Sequence, residues 1–114
     1  MSGVVDAVEA AVNSGRDADD ILRSVVSLLV AEPGVSWTGV SFVEGDALVL
    51  GPSAGSPDEP RRRRFIVRYG GDVVAELWID GEADQPTLEH VCELIADVCL
   101  VGWDTGGEAW DPGT

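Results

Sequence analysis

The chain has no lysine; all seven of its basic residues are arginine. Against 21 acidic residues they leave a formal net charge of −14. A field of that sign repels nucleic acid and anionic lipid, so neither is an expected partner. Histidine occurs once, at His90. A histidine-rich metal site is therefore excluded within one chain, and no cofactor is implied. Apolar runs stay well short of the ~20 residues that a membrane-spanning helix needs. No basic region precedes an apolar stretch near the N-terminus, where the first arginine is Arg16. A secretory signal is not predicted, and the cytoplasm is the default expectation. Phosphate loops, dinucleotide fingerprints and nucleophile elbows are absent.

Cysteine is scarce too. Cys92 and Cys99 fall on one predicted helix. At ~1.5 Å rise per residue they stand about 10 Å apart, too far for a disulfide within that helix. Both lie on its apolar stripe and read as small buried hydrophobes. His90 faces the other side, which argues against a Cys–His catalytic pair. Glu89, His90 and Glu93 read as a solvated helix face rather than a metal site.

What is present suits one packed domain: 114 residues, 45% hydrophobic. Val4, Val5, Val8, Ala11 and Val12 recur at helical spacing over 4–13, and Ser14-Gly15 ends the pattern. Asp17 reads as the N-cap of a second helix over about 18–31, which Pro33-Gly34 stops. Strands are predicted at 37–43 and 47–50 around a turn at Glu44-Gly45-Asp46, followed by a loop over 51–60. A second hairpin joins 63–69 to 73–80, and Pro86-Thr87 opens a last helix over about 88–102. Residues 1–102 thus form one domain and 103–114 a tail. The order α-α-β-β-β-β-α predicts an antiparallel sheet with helices on one face.

Trp37 and Trp78 fall on the strand faces whose neighbours are polar: Ser41 beside the first, Glu76 and Asp80 beside the second. Together with Arg64 they make a candidate ligand-binding set: Trp37, Ser41, Arg64, Glu76 and Trp78. The aromatic pair lines a pocket or an interface, or else Trp110 of the tail returns to cover it. Five of the seven arginines are Arg61, Arg62, Arg63, Arg64 and Arg68. They read either as a site for an anion or acidic partner, or as a charged edge strand that pairs with the chain's own carboxylates. Sorting side chains by face favours a three-residue loop, Gly70-Gly71-Asp72, which sets Tyr69 against Val73, Arg64 against Trp78 and Arg62 against Asp80. The last two pairs are then a cation–π contact and a surface ion pair.

The run WTGVSFVEGDALVLGPSAG, residues 37–55, resembles the first hairpin of GAF domains, nearest the branch containing the free methionine-R-sulfoxide reductases. GGDVVAELWIDG, residues 70–81, with the acidic spacer and helix after it, resembles the last strands and helix of that fold. The resemblance spans about 18–102. It implies an α+β, GAF-like (PAS/profilin-like) fold, a small antiparallel sheet with N- and C-terminal helices on one face. In the reductase branch a cysteine follows the glycine-proline after the second strand, and an inserted region carries more. The matching stretch here, Gly55-Ser56-Pro57-Asp58-Glu59, has none. The resemblance therefore implies a non-catalytic binding or interaction module. Its alternatives are a small-molecule sensor using the open sheet face and a divergent reductase. Helices of this family often mediate dimerisation. A homodimer is expected because Val26 and Val30 lie off the main stripe of the second helix and Leu100 lies on the polar side of the last. A small molecule or a protein is the other expected partner.

Overall fold

The structure is a computed structural model that describes the backbone of residues 3–110 and the side chains of residues 3–99. Three helices, α1 (Val4–Val12), α2 (Ala18–Val30) and α3 (Gln85–Trp110), accompany four strands: β1 (Val35–Glu44), β2 (Ala47–Gly55), β3 (Arg62–Tyr69) and β4 (Asp72–Gly81). The strands form one antiparallel sheet in the order β2-β1-β4-β3. Helix α2 packs over β1 and β2, α3 over β3 and β4, and α1 against both helices. The predicted α+β class with helices on one face is the observed one.

Alternation along each strand explains this layering. Val40, Val67, Ala75, Leu77 and Ile79 project to one side and meet Leu22, Val25, Leu29, Leu88, Val91 and Ile95. Burial of these aliphatic groups, at roughly 25 cal/mol per Å² of apolar surface, is the main drive for helix-on-sheet packing. The opposite side, which α1, α2 and α3 leave open, carries Trp37, Ser41, Glu76, Trp78 and Asp80.

Val26 is buried among these core residues, and Val30 is half-buried against them. Two of the three residues that suggested a helix-packed homodimer are thus consumed within the chain, because the α2 face that meets the sheet is broader than its central stripe. The side chain of Leu100 lies outside the described residues.

Several boundaries move. Strand β2 continues through 51–55, where a loop was expected, by pairing Gly39 with Ser53, Thr38 with Ala54 and Trp37 with Gly55. Gly51 and Pro52 form a bulge there, and an edge strand tolerates a residue without an N–H. Gly55 has φ of +98°, and a Cβ at that position would stand 2.2 Å from the Ser36 carbonyl oxygen. Only glycine fits. Helix α3 starts earlier than expected, capped by Asp84, whose carboxylate accepts from the Thr87 amide at 3.1 Å and the Thr87 hydroxyl at 2.6 Å. Those two bonds hold the Asp84 carboxyl below the usual carboxylate range. The same helix continues past Gly102 to Trp110, so the stretch expected as a tail is largely helical. Asp17, expected as an N-cap, is extended but makes no side-chain capping bond.

The second hairpin closes with a two-residue turn. Gly70 and Gly71 take φ of +60° and +92°, the paired positive values of a tight hairpin turn, and Tyr69 opposes Asp72. The three-residue loop is thereby corrected. A bulge at Val74 shifts the register by one, so that Val67 still meets Ala75, Arg64 meets Trp78 and Arg62 meets Asp80. The turn and the bulge together give the same sorted faces.

Candidate functional site

The open face of the sheet brings the predicted set together. Trp37 and Ser41 project from β1, Glu76 and Trp78 from β4, and Arg64 from β3. The Trp37 indole lies over Gly39, where a Cβ would come within 2.6 Å of the ring, and Trp37 is buried. Trp78 donates its indole N–H to Glu76 Oε1 at 2.8 Å. The Arg64 guanidinium lies 4.4 Å from the Trp78 ring centroid, with Glu76 at 3.8 Å.

Two residues outside that set organise its centre. Arg62 grips Asp80 with two bonds, Nε to Oδ1 at 2.7 Å and Nη2 to Oδ2 at 2.9 Å. Its guanidinium sits 4.5 Å from the Trp37 ring centroid and 5.2 Å from that of Trp78. Asp80 is fully buried and also accepts the Asp58 backbone N–H at 2.6 Å, which ties the 3-10 turn Glu59–Arg61 to the sheet. The pair was expected on the surface; the Asp80 side chain is instead fully buried, and Arg62, over the two indoles, is 17% exposed. Asp80 is held below the usual carboxylate range, first by the bonds from Arg62 and then by the Asp58 amide. Reciprocally, the Arg62 guanidinium is raised by its bonds to Asp80. A planar fork suits this geometry, since it binds a carboxylate in two places while its faces stack on aromatic rings.

Arg62 and Arg64 cover the indoles from β3, while the backbone of α3 runs on as helix to Trp110, whose side chain lies outside the described residues. Ser41 is completely buried, and its hydroxyl is the one buried side-chain polar atom among the described residues without a hydrogen-bond partner. Leu50 and Glu76 flank it across the neighbouring strands. Leu48, Leu50 and Ile66 are exposed apolar residues on the strands of this face.

The remaining arginines divide. Arg61 reaches Asp58 and the Gly34 carbonyl, and Arg63 donates to the Ala83 carbonyl at 2.9 Å beside Phe65. The Arg68 side chain makes no hydrogen bond, ion pair or ring contact among the described residues and is exposed.

On the far side of the sheet, Cys92 and Cys99 are free thiols buried in the core. Burial pushes each thiol up to about 12. Among the described residues no group of three or more His, Cys, Asp or Glu side chains is placed to hold a metal ion. No helix among them is long and apolar enough to cross a membrane.

No family model matches the chain, and no curated protein matches it by sequence. Solved structures do match. The free methionine-R-sulfoxide reductase of Neisseria meningitidis, determined with its substrate, superposes with a TM-score of 0.71 at 14% identity, covering 90% of this chain and 89% of that one. The GAF domain of the Acinetobacter phosphoenolpyruvate-protein phosphotransferase gives a TM-score of 0.69 at 11% identity, covering 87% and 92%. A putative GAF sensor protein from Burkholderia vietnamiensis gives 0.68 at 14% identity, covering 95% and 91%. At these identities the likeness concerns architecture alone. With its helix-backed antiparallel sheet and its helix-free opposite face, the chain has the GAF-like fold.

Proposed function

We propose that the chain is a non-catalytic interaction module on a GAF-like fold, its open sheet face closed by its own side chains. The carrying observation is the seat of Arg62, which holds the Asp80 carboxylate and stacks between Trp37 and Trp78. The aromatic and acidic groups best suited to a small ligand are thereby engaged within the chain. The buried thiols support the same reading. Nucleophilic or redox sulfur chemistry needs an accessible thiolate, and Cys92 and Cys99 are buried, with burial pushing each thiol up to about 12.

One observation favours a small-molecule sensor instead. A ligand entering between Leu50 and Glu76 would supply the partner that the Ser41 hydroxyl lacks. Native mass spectrometry of the purified protein separates the two. The module reading expects the bare chain or its oligomer. A small molecule retained in stoichiometric amount overturns it in favour of the sensor.

A further inference from the structure

Strand β3 has a neighbour on one side only, so its outer edge presents backbone groups that no other strand pairs. Beside that edge runs a groove lined by Arg63, Arg64, Ile66 and Arg68 of β3 and by Glu89 and Glu93 of α3. Along β3 the residues Arg64, Ile66 and Arg68 share the open face, cation, aliphatic, cation, and Ile66 and Arg68 are exposed. Arg68 is unengaged, and the one ion pair of Arg64 is long, at 3.8 Å, with the side chain 56% exposed.

We infer that this edge docks an extended acidic segment of a partner protein, added as a fifth strand beside β3. The inference rests on the module reading and names its surface and the chemistry of its partner. Residues directly opposed in neighbouring strands share a face, so an added strand meets Arg64, Ile66 and Arg68 with every second residue. The pattern that fits is an acid, any residue, an aliphatic, any residue, then an acid. Because it is palindromic, it fits parallel or antiparallel addition. The intervening residues face Glu89 and Glu93, so acids there are disfavoured. A second copy of β3 paired antiparallel about Ile66 sets Arg64 against Arg68, which disfavours that register. Main-chain bonds supply the attachment and the alternate side chains supply the choice.

The test is titration of the isotope-labelled full chain with a capped peptide, Thr-Glu-Thr-Val-Thr-Glu-Thr, followed by amide shifts and hydrogen exchange. Shifts and slowed exchange centred on Phe65, Ile66, Val67 and Arg68 are expected. Binding weakens by about tenfold or more in Arg68→Glu and falls as salt is raised, because exposed ion pairs are screened. The inference is overturned by no shift at millimolar peptide, by shifts on α1 and α2 alone, or by equal binding of a peptide with lysine at both glutamate positions. It is likewise overturned if Arg68→Glu binds as well as the parent. The Arg68 side chain is exposed and makes no hydrogen bond or ion pair, so that variant is expected to keep the fold. Failure here with no retained small molecule removes this surface and leaves the module reading; a retained small molecule is what removes the module reading.

Discussion

Arg62 and Asp80 face each other across β3 and β4, joined by bonds of 2.7 and 2.9 Å, with Asp80 wholly buried. The relationship decides what the open face can do. A buried carboxylate without a partner is strongly disfavoured, so Arg62 is held where it is, and the two tryptophans close around it. The Asp58 amide on the same carboxylate extends the lock to the turn before β3.

Removing one partner leaves the other charge buried. Asp80→Asn is expected to lose about 3 kcal/mol of stability in chemical denaturation. Since the folded carboxyl titrates below its unfolded value, its stabilisation is complete above the ordinary carboxylate range. That contribution declines as pH falls below about 3.8 toward the lowered value. Asp80→Asn should therefore flatten the acid limb of the stability–pH curve. An unchanged limb would show that Asp80 does not carry it.

Ser41→Ala removes a buried hydroxyl that bonds to nothing. Stability is expected to stay level or rise by up to about 1 kcal/mol. A loss of similar size would mean that the hydroxyl has a partner in solution, which would favour the sensor reading.

Gly39→Ala places a Cβ 2.6 Å from the Trp37 ring and 3.1 Å from Leu50 Cδ1. The ring has to lift off the strand, at a cost of about 1–3 kcal/mol. Tryptophan emission should shift to the red as Trp37 gains solvent. An unshifted spectrum contradicts the close seat of that ring on Gly39.

The thiols should label slowly at neutral pH, at the rate at which the chain opens. Because their folded values lie near 12 against an ordinary 9.0, folding should weaken as pH rises from about 9 towards about 12. Labelling within seconds would place Cys92 or Cys99 outside the core.

The facing of Arg62 on Asp80 and Arg64 on Trp78 was legible because side-chain alternation admits few registers in which charge and core do not mix. The turn was not legible, since a two-residue turn with a bulge at Val74 and a three-residue loop sort the faces alike. Residues 51–55 hid as a loop because Gly, Pro and Ser carry no periodicity; pairing with β1 makes them a strand. The burial of Asp80 escaped because a carboxylate reads as surface until the arginine and backbone amide that satisfy it are placed. Val26 showed the converse error, an off-stripe valine that α2 buries against the sheet.

The most direct measurement of the central claim is the arginine side-chain Nε–H spectrum of the isotope-labelled protein. The account predicts that, among seven arginines, the Arg62 Nε–H is protected from exchange and shifted by the ring currents of Trp37 and Trp78. That resonance should lose its protection in Asp80→Asn. If the Arg62 Nε–H exchanges as fast as that of exposed Arg68, the open face is not closed by its own arginine, and the account fails.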